Sequence, residues 1–206
     1  MEIIEPSVHT MDEINELAVL TKLELCGRTA YKSEDKITKG SAEKFIRGII
    51  KSGHGSVLEH VNTTVKFICD RGVTHELVRH RIASYTQEST RYCNYSKKGV
   101  TFIRPPWGFN QSDLDFLESC EKQYNKKIGE GQTPQQARAY LPNCLKTEIV
   151  TTMNIREWRH VLGLRTKPDC HPQMRQMMGM LLTEFKQKLP VLVEDIGDGN
   201  RYISNT

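Results

Sequence analysis

The sequence predicts an α+β fold, formed as one mostly helical domain with a few strands. Segments with apolar residues at helical spacing outnumber segments that alternate apolar and polar residues as strands do. The 206 residues suffice for one domain or two small ones, but the chain contains no internal repeat, no low-complexity block and no linker rich in Pro, Gly or Ser. We therefore expect a single domain over residues 1–206.

Two helices, a strand and a third helix are predicted in the first part of the chain. Residues 11–31 place apolar side chains at roughly helical spacing. The next apolar stripe follows Ser41, which has the character of an N-cap, and stops at Gly53. Residues 61–70 alternate as a strand does, through Val61, Thr63, Val65 and Phe67, and residues 73–84 return to a helical pattern.

The remaining boundaries are predicted mainly by capping residues. Ser112 lies near the start of a long helix, and Thr133, Pro134 and Gln136 form a stronger start signal with proline at N1 and glutamine at N3. Asn154 is placed to cap the helix that follows it. In chain order, the predicted elements are a strand ended by two prolines, a long helix, a short helix, a strand and two helices: 100–106, 112–128, 135–140, 147–154, 155–164 and 172–188.

The composition is that of an ordinary globular protein. The net charge of +4 tolerates anionic partners but does not demand nucleic acid. No run of about 18 apolar residues exists, and the N-terminal segment MEIIEPSVHT lacks the pattern of a signal peptide. We expect a cytoplasmic protein with reduced thiols, because the six cysteines show no CxxC or zinc-type spacing: Cys26, Cys69, Cys93, Cys120, Cys144 and Cys170.

Several common ligand-binding motifs are absent from the sequence. There is no P-loop, no GxSxG and no HExxH motif. The stretch beginning at Gly53 starts like a dinucleotide fingerprint, but it lacks the third glycine and precedes a strand. His54 and His60 in the same stretch have no convincing third ligand, so we expect no metal site.

The stretch RHRIASYTQESTRY, residues 79–92, concentrates hydrogen-bond donors. Guanidinium groups suit phosphate, and hydroxyl and amide groups suit the edges of a heterocycle, so the stretch is typical of a site for a phosphorylated heterocyclic ligand. If the segment is helical, Arg79 and Arg81 diverge by about 200° and serve different partners. From the residues alone, a solvated helix face with pairs at i and i+4 remains an alternative.

A second basic cluster lies at residues 154–173. Arg156, Arg159 and His160 fall within about one helical turn, and Arg165 follows where a helix could end. A guanidinium at that position is free to point at a ligand. For Arg159 we prefer a simpler role at the helix C-terminus, where cations complement the helix dipole.

At this point the residues resemble a known family. Arg79, His80 and Arg81, followed after seven residues by Ser89, form the RHR-x7-S signature of the flavin-dependent thymidylate synthases. GHGSVLEH, QARAYLP and NIREW with its downstream arginine resemble three further family segments in the expected order. The resemblance covers most of residues 50–180, and four ordered motifs are far more specific than a tripeptide.

The resemblance implies a homotetramer with FAD bound between subunits and a mostly helical fold around a central antiparallel sheet. It further implies conversion of dUMP to dTMP, with 5,10-methylenetetrahydrofolate as one-carbon donor and NADPH as reductant of the flavin. By position, the FAD-binding residues are Ser56, Arg79, His80, Arg81, Gln87, Asn154, Arg156 and His160. The dUMP-binding residues are Glu76, Arg79, Gln87, Glu88, Ser89, Thr90, Arg91, Arg138 and Arg165.

The same resemblance implies that no enzymic cysteine attacks the uracil ring. Cys170 lies in a Cys-His-Pro stretch that superficially resembles the nucleophile segment of the other synthase class, and we interpret this as coincidence. Arg165 is the predicted catalytic residue, because a fixed cation at the pyrimidine edge favours ionisation at N3. Ser89 is expected to position the substrate, and Arg91 and Arg138 to bind its phosphate by bidentate contacts.

The chain departs from the family pattern at several positions. Gln87 stands where some relatives have glutamate, His160 where some have asparagine, and Glu76 where glutamine occurs. Thr90 replaces a possible glycine. Relative to shorter members of the family, two extra residues lie between Arg165 and His171, so a flavin contact of His171 does not follow from the resemblance.

Two other functions compete with a flavin enzyme. A nucleic-acid-binding module would interleave aromatic and basic residues, as Tyr85, Arg91, Tyr92 and Tyr95 do in part. The modest net charge and the missing module signatures count against it. An inactive structural homologue is the third possibility. We favour a seam between flavin and nucleotide, with Arg79 touching both.

Overall fold

Eight α-helices and six β-strands occur in residues 1–197, the part of the chain that the computed structural model describes. The helices are α1 (Glu16–Thr29), α2 (Ser41–Lys51), α3 (Arg71–Leu77), α4 (Gln111–Gly129), α5 (Pro134–Ala137), α6 (Ile155–Arg165), α7 (Pro172–Lys188) and α8 (Pro190–Val193). The strands are β1 (Glu2–Ile4), β2 (Ser7–Thr10), β3 (Asn62–Asp70), β4 (Ser84–Gln87), β5 (Thr101–Ile103) and β6 (Lys146–Asn154). Short 3₁₀ helices cover Glu34–Lys36, Gly55–His60 and Arg138–Tyr140.

The main sheet has four strands in the order β2–β3–β6–β4, and every neighbouring pair is antiparallel. At its centre, β3 and β6 pair from Asn62 opposite Asn154 to Asp70 opposite Lys146. Both strands alternate buried and half-exposed residues, which is the pattern that predicted them. The α+β class and the central antiparallel sheet are therefore confirmed.

The buried face of this sheet forms the main core with the helices. Phe67 of β3 lies against Trp158 of α6, with ring centroids 6.3 Å apart, and Trp158 meets Phe185 of α7 at 6.0 Å. The Trp158 indole Nε1–H donates to the Thr63 carbonyl oxygen at 2.9 Å. Leu23 of α1 is fully buried in the same cluster. Helix α6 is thus fastened to β3 by packing and by a hydrogen bond.

The opposite face of the sheet is half-exposed in this chain. It carries Thr64, Lys66 and Ile68 from β3 and Glu148, Val150 and Thr152 from β6. The Thr64 and Thr152 hydroxyls share a hydrogen bond of 3.0 Å, and Lys66 pairs with Glu148 at 2.5 Å. This face combines apolar, hydroxyl and charged groups, a composition also found at subunit interfaces.

A smaller unit surrounds the parallel pair β1–β5, in which Ile3 lies opposite Phe102. Phe102, Leu117 and Tyr124 are buried there, so α4 packs its apolar face on β5. The Tyr124 hydroxyl also accepts from the backbone N–H of Tyr95 at 3.2 Å. The loop between β4 and β5 is held by this contact.

Strands β1, β2 and β4 were not predicted from the sequence. They contain three or four residues each, which is too few to display a period-2 pattern. β2 and β4 pair with the longer strands β3 and β6, and β1 pairs with the more deeply buried β5, so each depends on tertiary contacts. The sequence therefore predicted three strands, whereas residues 1–197 contain six.

Two predicted helices are shorter than expected. Helix α1 begins at Glu16, because the Asn15 side chain caps it by accepting from the Ala18 N–H at 3.0 Å. Helix α3 ends at Leu77 and does not continue to residue 84. At the end of this helix the Tyr85 hydroxyl of β4 donates to the Leu77 carbonyl oxygen, a contact that no local sequence pattern reveals.

Most predicted helix starts agree with the structure. Asn154 caps α6 by accepting from the Glu157 N–H at 2.9 Å, and Thr133 forms a capping box at the start of α5. Helix α2 begins with Ser41 in its first turn, after Gly40 with φ +84°, so Ser41 is not the N-cap itself. The cap of α4 is Asn110 and not Ser112. The last predicted helix, α7, has the predicted bounds, and the short helix α8 follows it.

Trp158→Phe is expected to lower the free energy of unfolding by about 2 kcal/mol, because it removes buried volume and the indole hydrogen bond. Trp107→Phe is the matched control, since Trp107 is 64% exposed, and should change stability by less than about 0.5 kcal/mol. Urea unfolding of both variants, followed by circular dichroism, measures the difference. Equal losses in the two variants would contradict the assignment of Trp158 to the core.

Candidate active site

The signature residues 79–81 lie in the turn that follows α3. The backbone N–H of His80 donates to the Leu77 carbonyl oxygen at 3.1 Å. The Tyr85 hydroxyl, from β4, lies 2.9 Å from the Leu77 carbonyl oxygen and 2.5 Å from that of His80, and donates to both in a shared hydrogen bond. A side chain of the sheet therefore holds the turn in place.

In this turn Arg79 and Arg81 are exposed, whereas His80 is only 7% exposed. The helical argument for the divergence of the two arginines was wrong, because neither residue lies on a helix. The alternative of a solvated helix face fails for the same reason. The signature instead presents two guanidinium groups outward and one imidazole inward.

The buried imidazole brings together residues that are far apart in the sequence. Arg165, the last residue of α6, donates from Nε to Nε2 of His80 at 3.0 Å. Its Nη1 donates to Oε2 of Glu76, on α3, at 3.3 Å. The predicted catalytic arginine and two signature-region residues thus form one hydrogen-bonded group.

His80 is neutral over the usual pH range. The pKa of His80 is lowered from 6.5 to about 4, chiefly by burial, and the charges of Arg165 and His160 act in the same direction. Since the Arg165 Nε–H is always a donor, Nε2 of His80 must be the acceptor and Nδ1 must hold the proton. Nδ1 faces Oε1 of Glu157 at 3.8 Å.

His80, Glu157 and His160 offer ligand atoms within 4.8 Å of one another, and they are the one set of this kind found in residues 1–197. A metal on Nδ1 of His80 would require loss of the Nδ1 proton while Arg165 still donates to Nε2. That arrangement would leave an imidazolate in a buried position. While Arg165 donates to Nε2, Nδ1 of His80 therefore carries its proton and does not ligate a metal.

The second half of the signature, Gln87–Thr90, is anchored by side-chain contacts. Gln87 Nε2 donates to the Thr74 and Thr147 hydroxyls at 3.0 and 3.2 Å. Glu88 accepts from the Tyr95 hydroxyl at 2.9 Å and from Lys146 Nζ at 3.1 Å. The Gln87 and Glu88 side chains therefore have internal partners, a structural role that the sequence did not predict.

The two predicted phosphate arginines flank one buried threonine. Arg138 Nη1 donates to the Thr90 hydroxyl at 2.9 Å, and Thr90 is 4% exposed. Arg91 Nε donates to Gln135, three residues before Arg138, at 3.3 Å, and its backbone N–H donates to the Ser89 hydroxyl, also at 3.3 Å. The structure thus brings Ser89–Arg91 and Arg138 together, as predicted from their family motifs.

Of the predicted flavin residues, Ser56 and Arg156 share one location. Arg156 pairs with Glu59 at 2.5 Å across the 3₁₀ helix that contains Ser56. A Cβ on Gly55 would lie 3.0 Å from Arg156 Nε, so the glycine makes this close approach possible. Both Ser56 and Arg156 are exposed and available to a ligand.

Of the other residues in the second basic cluster, Asn154 and Arg159 stabilise the fold, and His160 lies beside His80. The Asn154 side chain caps α6, so its predicted flavin contact competes with a structural role. Arg159 forms a two-point ion pair with Asp195 and donates to the Leu192 carbonyl oxygen, which ties α6 to the segment after α8. Arg159 is structural, as expected, but through this pair and not through the helix dipole. His160 is exposed, with its ring centroid 6.0 Å from that of His80.

The loop after α6 lies against the same group. Burial raises the pKa of the Cys170 thiol, and the neighbouring Arg165 guanidinium only partly opposes this effect. A thiol with a raised pKa is a poor nucleophile at neutral pH.

Gln173 donates to Asp70, and the His171 ring lies 6.2 Å from the Trp107 ring. Sequence reasoning missed Glu157 and Tyr85, whose positions only the fold reveals.

The comparisons with known proteins agree with this geometry. The family described as "Thymidylate synthase complementing protein" has a sequence model that matches residues 14–191. A flavin-dependent thymidylate synthase of Pyrococcus furiosus is 35% identical over 172 residues, which cover 79% of this chain and 70% of the relative. The enzyme of the same name from Geobacter sulfurreducens is 32% identical over 199 residues, 93% of this chain and 85% of the relative.

A solved structure with the same fold is a UMP/dUMP methylase, PolB from Streptomyces cacaoi, bound with 5-Br dUMP. It aligns with a TM-score of 0.76 at 25% identity and covers 94% of this chain and 96% of the methylase. Among the helices of residues 1–197, none is long and apolar enough to span a membrane.

Acid should destabilise the protein through His80. The unfolded chain binds a proton at this histidine below pH 6.5, whereas the folded protein does so only near pH 4. The contribution of His80 to the free energy of unfolding is therefore fully present above pH 6.5. It decreases by about 2–3 kcal/mol as the pH drops toward 4.

The measurement compares wild type with His80→Asn, which cannot titrate, by urea unfolding between pH 4 and 7. Glu157, His160 and Arg165 surround position 80 in both proteins, so they contribute similarly to both profiles. The stability difference between the two proteins should therefore change across this window because of His80. Two parallel pH profiles would show that His80 is not buried as a neutral group.

Proposed function

Since the chain belongs to the thymidylate synthase complementing protein family, the flavin-dependent thymidylate synthases, we propose that it methylates dUMP to dTMP. The one-carbon donor is 5,10-methylenetetrahydrofolate, and NADPH reduces the FAD. The observation that carries the proposal is the Arg165 guanidinium, which is oriented by His80 and Glu76 at the signature. The similar methylase, whose title names bound 5-Br dUMP, supports the same substrate class.

The residues present fit FAD by their chemistry. Arg79 and Arg81 in the turn after α3, and Arg156 in the first turn of α6, are exposed cations, and guanidinium groups are well suited to a pyrophosphate. Ser56 lies beside Arg156 in a turn whose glycine allows close approach. When bound, FAD supplies the hydride chemistry. The chain's residues bind it, orient it and exclude water from it.

Arg165 acts on the uracil ring by its fixed charge. Its Nε and Nη1 are engaged by His80 and Glu76, which sets the plane of the guanidinium. A preorganised cation at the pyrimidine edge stabilises the charge that develops when N3 ionises, and C5 becomes a better nucleophile as a result. Glu76 keeps the net local charge lower than glutamine would at the same place. The Cys170 thiol has no role in this mechanism.

The remaining dUMP contacts follow from the segment around Thr90. Arg91 and Arg138 flank this buried residue and are both exposed, so they can form bidentate contacts with the phosphate. Ser89 and Thr90 position the nucleotide between them. The side chains of Gln87 and Glu88 have internal partners, so they act on the ligand through the backbone or after rearrangement.

A homotetramer with sites between subunits is also proposed. The half-exposed sheet face offers a large surface with mixed chemistry. The exposed arginines lie on separate segments of one chain: Arg79 and Arg81 after α3, Arg91 after β4 and Arg156 in α6. A ligand that uses all of them is best enclosed when a second copy contributes part of the set. One domain over residues 1–206 and a cytoplasmic location are proposals too, the latter supported by six free cysteines.

The purified protein is expected to show a flavin absorbance spectrum that NADPH bleaches and dUMP alters. It should form dTMP from dUMP only when 5,10-methylenetetrahydrofolate is present, with UMP assayed in parallel because the similar methylase is named for both nucleotides. A colourless protein that cannot be reconstituted with FAD, yet shifts single-stranded DNA, would favour the nucleic-acid-binding alternative.

Arg165→Ala should lose dTMP formation by about a hundredfold or more while keeping bound flavin, because the oriented cation at the uracil ring is gone. Cys170→Ala, beside Arg165 in the structure, is the matched control and should retain turnover. Steady-state kinetics with a flavin spectrum of each variant measures both. Unchanged activity in Arg165→Ala would remove this residue from the mechanism, and complete loss in a folded Cys170→Ala would restore the cysteine route.

A further inference from the structure

We propose that Glu157 is a positioning residue that holds His80 in its Nδ1-protonated form, so that Nε2 accepts from Arg165 and the guanidinium keeps its orientation. This inference rests on the proposed function of Arg165. Glu157 lies outside the ligand-binding set predicted from the sequence, and it contacts the reacting groups only through His80.

The geometry forms a continuous chain of four groups. Glu157 Oε1 lies 3.8 Å from Nδ1 of His80, Nε2 of His80 accepts from Nε of Arg165 at 3.0 Å, and Nη1 of Arg165 donates to Glu76 at 3.3 Å. Two adjacent members, Glu157 and His80, are buried, at 9% and 7% exposure. In such a weakly screened environment, the orientation of each group depends strongly on its neighbours.

The number of protons on His80 determines which of its ring nitrogens donates and which accepts. An arginine Nε–H can only donate, so the contact at 3.0 Å exists only while Nε2 of His80 carries no proton. Neutral imidazole has one N–H, and a carboxylate facing Nδ1 favours the proton at that nitrogen. Burial supports this form, because it lowers the pKa of His80 to about 4 and keeps the ring neutral. The same logic applies where an aspartate fixes the tautomer of a catalytic histidine.

Local structure explains how a buried carboxylate is tolerated at position 157. Glu157 is in the first turn of α6, where its backbone N–H is capped by Asn154, and a helix N-terminus stabilises negative charge. A carboxylate there could serve the helix alone. The tautomer of His80 distinguishes the two roles, because a purely helical role would leave it unchanged.

The other groups around the imidazole do not supply the missing acceptor. His160 of α6 meets the ring edge at a centroid distance of 6.0 Å, and the Tyr85 hydroxyl of β4 contacts the backbone carbonyl of His80 and not the ring. Arg165 is a donor, and Glu76 is reached only through Arg165. Glu157 is therefore the carboxylate that can set the position of the proton.

The test uses FAD-loaded protein with dUMP, labelled with ¹⁵N-histidine. Long-range ¹H–¹⁵N correlation spectra report which ring nitrogen holds the proton, and the signals missing in His80→Asn identify His80. Wild type should show Nδ1–H. In Glu157→Leu the proton should move to Nε2, with kcat for dTMP formation falling about tenfold or more and flavin content unchanged.

Glu157→Leu keeps a similar volume and removes every side-chain acceptor, and Glu157→Ala, which also removes them and favours a helix, serves with the same expected result if the leucine variant does not fold. Nε2–H in wild type would overturn the inference. So would a folded variant in which either the tautomer or kcat stays as in wild type. If wild type forms no dTMP, the proposed function fails, while the comparison of the His80 tautomer in wild type and in Glu157→Leu still shows whether Glu157 controls it.

Discussion

The site depends on the antiparallel pairing of β3 with β6. Helix α3 follows β3 directly at Asp70, and α6 follows β6 directly at Asn154, at the opposite end of the pair. Each helix is capped by the last residue of its strand and runs back over the sheet. The pair is about 26 Å long, and the two helices span about 9 and 15 Å, so their C-termini meet.

This meeting point is where His80 contacts Arg165. The strand lengths and helix lengths together determine the position of the guanidinium, and the tight core around Trp158 keeps α6 in register with β3. A change of one residue in either strand would move one helix by about 3.3 Å and break a contact of hydrogen-bond length. The β3–β6 pair is therefore as much a part of the site as its polar residues.

The sequence predicted those parts of the fold that local patterns encode. Strands β3 and β6 alternate clearly, and Asn154 and Thr133 are side chains whose capping chemistry is local. Two separate family motifs assigned Ser89–Arg91 and Arg138 to one ligand, and the structure places Arg138 in contact with Thr90. Strand β4, the early end of α3 and the contacts of Glu157 could not be predicted, because each depends on a partner more than 60 residues away or on a turn closed by another element.

The Tyr85 hydroxyl that closes the signature turn also sets how the site responds to alkali. The pKa of Tyr85 is raised from 10 to about 12, chiefly by burial and in part by the charge of Glu157. Its contribution to stability is complete below pH 10 and disappears only between about pH 10 and 12. The turn is thus held by a donor that does not titrate where His80 does, so the acid limit and the alkaline limit of the site have separate chemical origins.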